Sequence, residues 1–349
     1  MHVPHKPPGL VDVAAKAGVS LSTVSRVITG RTPVSEQLRQ RVQAAVDELG
    51  YRPNAAAQAL VSGRSSTIAV LARNTARFGY AATLQGIEEA ARAAGYVVMI
   101  VVVESADPAA IAQAVDMTLS QPLAGAIVIE FDDVGVATLA ALPDVIPVVA
   151  AAGAQRKRGA SPHAFLDDEA GGREATEHLL SLGHATVHHI AIPATRRRSG
   201  REWGWRKALE AAGAPVPEVI RAEYSPTSGY DAAQRLVADP EVTAILCGND
   251  EIAIGTARAL AERGRRIPED VSIVGFDDQP FAKMWVPALT TVSQDFTDLG
   301  QRTFGLLHSW VTTGTRPTDS AVRPALVPRE STAPPRSAFP APTSERPRQ

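Results

Sequence analysis

The chain opens with three stripes of helical periodicity. Leu10, Val13, Ala14 and Ala17 recur at i, i+3, i+4 and i+7, so they line one face of a short helix. Gly18-Val19-Ser20 interrupts that face, because glycine takes the left-handed conformation of a tight turn and Ser20 can cap the next helix. In the second helix Val24 and Val27 point back toward the first. Leu21, Ser22, Ser25, Arg26 and Thr29 fall on the opposite face. A third helix, capped by Ser35, carries Val42, Ala45, Val46 and Leu49 as its inner stripe. Ala14 is small enough to let the first two helices cross closely. The pattern is that of a helix-turn-helix whose outward groups can meet base edges.

From Thr67 the pattern changes to short apolar runs separated by helical segments. The runs are 68–72, 97–103, 126–129, 146–150, 189–192, 244–247 and 272–274, and several lack alternation, as strands buried on both faces do. Helical stretches such as 80–94 and 109–119 separate them. Strand alternating with helix predicts parallel sheets, and at this length two doubly wound lobes fit better than one large sheet. Ligands of such folds sit beyond the carboxyl ends of the strands, so two facing lobes predict a crevice between them. Between the helical start and this α/β body lies 55–62 (AAAQALVS), built of strong helix formers with Asn54 as a cap. It is too short to persist alone in water, which leaves either a floppy linker or a helix that forms only with help.

Bulk composition adds little until it is divided. The net charge of −2 does not point to nucleic acid. Its distribution does: residues 1–64 hold eight Lys/Arg against four Asp/Glu, and the remainder 27 against 33. A basic end on an acidic body suits a chain that presents one face to phosphates. The 349 residues allow two or three domains with sizeable cores. Cys247 is the one cysteine, which excludes an internal disulfide and fits a cytoplasmic setting. No early apolar run resembles an export signal, and no run reaches membrane-spanning length.

D-V-A-x-x-A-G-V-S-x-x-T-V-S-R-V, followed by a third helix and Y-x-P-N (Tyr51 to Asn54), resembles the headpiece of the lac-repressor (LacI/GalR) family. The resemblance continues through the rest of the chain. It implies a helix-turn-helix headpiece (1–52), a hinge helix (53–63) and a periplasmic-binding-protein-like core. The amino-terminal lobe of that core is 64–165 plus 294–321, and the carboxyl-terminal lobe is 166–293 plus 322–333. The chain would cross between lobes near Phe165, Ser293 and Val322. The Pro-, Ser- and Arg-rich tail 334–349 is expected to be disordered and lacks leucine heptads. The family function implied is a transcriptional regulator, a repressor of pseudo-palindromic operators, acting as a cytoplasmic, nucleoid-associated homodimer. Leu21, Ser22, Ser25, Arg26 and Thr29 would read the major groove. The hinge, with Asn54, Ala57 and Leu60, would enter the minor groove, Leu60 matching the family's intercalating leucine.

Three stretches stand where the family places effector contacts: Arg201-Glu202-Trp203-Gly204-Trp205, Gly248-Asn249-Asp250 and Gly275-Phe276-Asp277-Asp278. Their chemistry suits a sugar or sugar derivative. Arg201 offers planar donors, Asn249 both donates and accepts, and Asp277 accepts from hydroxyls. Tyr224, Phe296 and Trp285 are candidate rings for a sugar's apolar face. Asp250 and Asp278 read rather as turn or helix caps, and Trp203 and Trp205 read equally as core. Near the position of the lac repressor's sugar-binding aspartate stand Ala151 and Ala152. Arg73 stands near a small serine of that repressor, where it meets an anionic effector or sits on a solvated rim.

Other chemistry is not supported. His178, His184, His188 and His189 cluster in sequence but have no Cys or carboxylate at ligand spacing, so no metal site is expected. Arg196-Arg197-Arg198 reads as an exposed loop. Phosphate-loop, serine-hydrolase and metalloprotease motifs are absent, and no nucleophile, base and orienting group converge; neither an enzyme nor a cofactor is expected. An exported sugar-binding protein would share the lobes but needs an export signal and no headpiece. The identity of the effector, its sign (inducer or corepressor), the operator and dimer against tetramer stay open.

Overall fold

The structure is a computed structural model, and it describes residues 8–29, 33–52, 65–155, 161–193 and 200–336. The hinge 53–63 with Asn54, Ala57 and Leu60, the Arg196-Arg197-Arg198 run, the side chain of Thr29 and the tail from 337 lie outside the described residues. The chain divides into two compact units, 1–66 and 67–349.

In the first unit, α1 (Leu10–Ala17), α2 (Leu21–Thr29) and α3 (Glu36–Leu49) enclose one small core. Val13, Ala14, Ala17, Val24, Val42, Ala45 and Tyr51 are its buried members, with Leu10, Val19, Val27, Ile28, Val46 and Leu49 packed around them. Gly18 ends α1 at φ +62°, the left-handed conformation that the turn requires. Ser20 caps α2, its Oγ accepting from the Thr23 N–H at 3.2 Å. Ser35 occupies the N-cap position of α3, but its side chain makes no capping bond, contrary to expectation. Arg41 fastens the turn instead, donating from Nη2 to the carbonyls of Ala17 (2.7 Å) and Gly18 (3.3 Å).

The second unit holds two six-stranded sheets. The first has the order β11-β5-β4-β3-β1-β2, all parallel; the second has β12-β10-β9-β8-β6-β7, parallel except for β10 against β12. The first sheet's strands are β1 (Thr67–Ala72), β2 (Val97–Val102), β3 (Gly125–Glu130), β4 (Val148–Ala152), β5 (His163–Leu166) and β11 (Ser320–Val322). The second's are β6 (His188–Ala191), β7 (Ile220–Arg221), β8 (Ala244–Cys247), β9 (Ser272–Asp277), β10 (Thr290–Ser293) and β12 (Ala325–Val327). Central strands such as β3 and β4 are buried at every residue, which is why their sequences show no alternation. The edge strand β2 leaves Val97, Ile100 and Val102 exposed. Strands β5, β7, β10, β11 and β12 span two to four residues and carry no periodic signal of their own.

Helices cover both sheets: α4 (Phe78–Ala93), α5 (Pro108–Leu119), α6 (Asp133–Ala141) and α11 (Phe296–Thr313) in the first lobe, and α7 (Asp168–Ser181), α8 (Gly200–Ala211), α9 (Pro226–Ala233) and α10 (Asp250–Glu262) in the second. The chain passes between lobes three times: after β5, after β10 and after β11. Leu166 and Val322 pair with each other inside the first sheet, so each belongs one residue further into that lobe than expected. The tail is in place further than expected as well. Arg336 reaches Asp270 at 3.0 Å, a carboxylate that Arg266 also holds.

Three helix pairs cross at reciprocal glycines. A Cβ on Gly86 would overlap the Thr297 carbonyl and one on Gly300 the Thr83 carbonyl; these join α4 to α11. Gly172 and Gly204 meet the carbonyls of Arg201 and Glu169 between α7 and α8. Gly229 and Gly255 stand likewise between α9 and α10. Backbone lies against backbone at each crossing, which holds the N-termini of α4, α7, α8 and α10 close to the space between the lobes.

Candidate functional site

In the first unit, α2 turns one face outward. Leu21 is 48% exposed although it is large and apolar, Ser22 and Arg26 are exposed, and Ser25 is half-buried. The Ser22 Oγ lies 2.9 Å from that of Ser20. Arg26 lies along its own helix, donating from Nε to the Ser22 carbonyl (3.4 Å) and from Nη2 to Thr23 Oγ1 (3.3 Å). Both bonds are long, and Arg26 itself is exposed, so the guanidinium can leave them for a better acceptor at little cost.

In the second unit, a cleft opens between the lobes at the strand ends. The first lobe contributes rings. Phe78 and Phe131 each meet Phe296 edge-on, at 5.8 and 5.9 Å between centroids, and Tyr80 meets Phe131 at 5.1 Å. Tyr80 donates its hydroxyl to Asp132 at 2.8 Å; burial and that neighbour push its phenol well above the ordinary range. The second lobe contributes charge and amides: Asp168, Arg201, Asn249, Glu251, Asp277 and Gln279.

Arg201 is the hub of that wall. Its Nε donates to Asp168 Oδ2 at 3.1 Å, one Nη donates to the Gly248 carbonyl, and Nη2 reaches Gln294 Oε1 at 3.1 Å and Asp277 Oδ1 at 3.0 Å. The plane of the guanidinium rests on Phe276, 4.0 Å from the ring centroid. Gln294 returns its amide N–H to Asp168 Oδ1. Asp168 begins the helix after the first crossing and Gln294 follows the second, so one arginine ties two crossings together. Burial works against the charge of Arg201, but Asp168 and Asp277 outweigh it and hold the group charged.

The carboxylates pay for this in the other direction. Burial raises Asp277 to about 8 despite Arg201, and it raises Asp168 as well. Asp277 also has φ 102°, followed by Asp278 at 51°, left-handed conformations that few residues other than glycine adopt. The pair is fixed from outside. Asp278 accepts from Arg329 at 2.7 Å, and the Asp250 carboxylate accepts from the Gln279 N–H (2.7 Å) and the Thr291 hydroxyl (2.6 Å). Asp250 and Asp278 therefore serve the framework of the site.

Of the seven effector-contact candidates, Arg201, Tyr224, Asn249, Asp277 and Phe296 all line the cleft. Arg73 does not: it turns away to Asp132 at 3.5 Å, a carboxylate already held by Tyr80. Trp285 does not either; it packs against the second lobe's own core. Asn249 has a different task from the expected one. Its Oδ1 caps α10 through the Ile252 N–H (2.8 Å) and its Nδ2 donates to the Tyr224 carbonyl (3.2 Å), leaving one N–H over. Trp205 is fully buried and donates to the Val187 carbonyl, whereas Trp203 is 37% exposed. Ala151 and Ala152 are buried in β4, and Gly153 just beyond them reaches the cleft.

Sequence reasoning missed Arg77, Phe78, Tyr80, Phe131, Asp168, Glu251 and Gln279. Their one shared signal is position, each lying within a few residues of a strand's carboxyl end or a crossing. The histidines serve structure. His184 bonds to Thr243, Ser272 and the Ala333 carbonyl, and burial lowers His189 to about 4 as it bonds the Leu246 carbonyl. Among the described residues no group of His, Cys, Asp and Glu could hold a metal ion, and no helix is long and apolar enough to cross a membrane.

Comparison with known proteins places both units. Residues 9–54 match the bacterial regulatory proteins of the lacI family, and residues 176–332 match the periplasmic binding protein-like domain. The HTH-type transcriptional regulator DegA of Bacillus subtilis (strain 168) is 34% identical over 340 residues, covering 93% of this chain and 98% of that protein. The lac repressor dimer bound to operator and the anti-inducer ONPF is 32% identical; the match covers 94% of this chain and all of that one, with a TM-score of 0.84. A complex of the transcriptional regulator CelR with cellobiose is 30% identical over 93% of this chain and 99% of that one, with a TM-score of 0.68.

Proposed function

The chain belongs to the LacI family of DNA-binding transcriptional regulators, and from that premise we propose that it is a repressor whose operator affinity is set by a carbohydrate in the interlobe cleft. The observation that supports the ligand class is the build of the cleft: a wall of Phe78, Tyr80, Phe131 and Phe296 facing a wall of Asp168, Arg201, Asn249 and Asp277. A sugar ring has an apolar face for the first and hydroxyls for the second. The CelR–cellobiose likeness agrees with it.

The regulator acts as a cytoplasmic homodimer in this reading, with headpiece 1–52, hinge 53–63 and a two-lobed core. Leu21, Ser22, Ser25, Arg26 and Thr29 meet the major groove of a half-site; Asn54, Ala57 and Leu60 meet the minor groove at the centre of a pseudo-palindrome. The cleft controls this through the crossings. Arg201 bonds Asp168 and Gln294, one at each of two crossings, so a ligand that engages its network favours one setting of the lobes over another. It shifts the equilibrium only by its difference in affinity for the two settings.

The test is a thermal-shift screen of the full chain with mono- and disaccharides, sugar phosphates and nucleobases, followed by operator titration with each hit. A saccharide that raises the unfolding midpoint and changes operator affinity is the expected result. Hits confined to nucleobases would overturn the carbohydrate assignment.

A further inference from the structure

Arg77 is the chemistry in the cleft that the reading above leaves unused. It is the N-cap residue of α4, and it lines the cleft together with the first three residues of that helix, Phe78, Gly79 and Tyr80. Its backbone N–H is taken by Asn74 Oδ1 at 2.7 Å. Its guanidinium makes neither a hydrogen bond nor an ion pair with any described residue; it lies over the Tyr224 ring of the opposite lobe, 4.6 Å from the centroid.

The neighbouring charges are already committed. Arg201 is shared between Asp168 and Asp277. Asp132 on the first lobe is held by Arg73 and the Tyr80 hydroxyl. Arg77 is thus the cation of the lining that no described carboxylate neutralises. The N-terminus of the 16-residue α4 adds to it, since the first-turn N–H groups have no acceptor within the helix and carry partial positive charge. On the second lobe, two further groups without a hydrogen bond among the described residues line the same space. One is the carboxylate of Glu251. The other is the side-chain amide of Gln279, a residue only 8% exposed. Both side chains keep donors or acceptors open toward the cleft.

Resting on the carbohydrate reading, we propose that the effector is a sugar acid, whose carboxylate is received by Arg77 at the start of α4 and whose hydroxyls are received by Glu251 and Gln279. A guanidinium presents paired donors that match a carboxylate, whereas a neutral sugar would leave its charge unanswered. The stack on Tyr224 means that the carboxylate would be held by a group touching both lobes, so its charge bears on how they sit.

The experiment is calorimetric titration of the full chain with matched probes: galactose with galacturonate, glucose with glucuronate and gluconate, and glucosamine as the cationic counterpart. One acid is expected to bind at least about tenfold tighter than its neutral parent, a gap of the size a charge-assisted bidentate pair can supply. Arg77→Gln is expected to close that gap to about twofold, while Arg77→Lys keeps part of it. Circular dichroism of both variants is expected to match the parent, since the guanidinium supports no other bond. A neutral sugar or glucosamine binding as tightly as the acid overturns the inference and leaves the carbohydrate reading standing, as does an acid preference that survives Arg77→Gln. If no saccharide binds, the carbohydrate reading fails and this inference fails with it.

Discussion

Arg201 and Arg77 show how far one residue type can serve two ends in one cleft. Arg201 spends its donors on Asp168, Gly248, Gln294 and Asp277, and so acts on the framework; Arg77 spends none. Asp250 belongs to the framework too, and burial raises it to about 7. An aspartate in the unfolded chain ionises near 4, so between about pH 4 and pH 7 the folded chain keeps a proton that the unfolded chain has released. Folding stability contributed by Asp250 therefore falls as pH rises through that window, by roughly 4 kcal/mol in all. Urea unfolding at pH 5 and pH 7.5 checks it: Asp250→Asn is expected to gain on the parent as pH rises, and a pH-independent difference would contradict the assignment. On the headpiece, Arg26→Ala is expected to remove base preference at one position of each half-site, worth about 1–3 kcal/mol, in selection from random duplexes. Its present bonds, both longer than 3.2 Å, are no obstacle to reaching a guanine.

At the scale of elements, the glycine crossings decide where the cleft's residues stand. Gly204 lies against the Glu169 carbonyl and Gly172 against that of Arg201, so α7 and α8 touch backbone to backbone where Asp168 and Arg201 meet. Gly204→Ala forces the helices apart, and such overpacking costs typically 1–3 kcal/mol. The expected outcome is that loss in urea unfolding, together with weakened effector binding. Gly305→Ala on α11 is the control, because a Cβ there meets nothing within 4 Å. Equal effects of the two substitutions would refute the crossing as the cause.

The whole molecule joins a unit that faces DNA to a unit with a cleft, and the proposed link between them is the hinge. Leu60→Ala is expected to weaken binding to a specific operator far more than to non-specific duplex, because a minor-groove wedge matters only where the site is bent. Equal losses in both, measured by titration at one salt concentration, would exclude the wedge. Addition of a cleft ligand to the parent is expected to change operator affinity by about 5–150-fold, the range of ordinary allosteric coupling, in either direction.

Much of this was legible before any coordinates. The trihelical start, its outward face and the alternation of strand and helix follow from periodicity, and the clustering of Tyr224, Asn249, Asp277, Arg201 and Phe296 was implied by the family resemblance that short motifs carry. Periodicity is a local property, and each of those features is local or carried by a local signature. The short strands β5, β7, β10, β11 and β12 were not legible, because two to four residues are held by the strands they pair with and not by their own pattern. Nor were Arg77, Asp168, Glu251 and Gln279, which meet only because three crossings bring two sheets' carboxyl ends face to face. Arg73 makes the same point in reverse: it stands four positions before Arg77, yet one reaches Asp132 and the other lines the cleft. Which charged group stays paired and which stays open is a property of distances across the fold, and no stretch of sequence contains them.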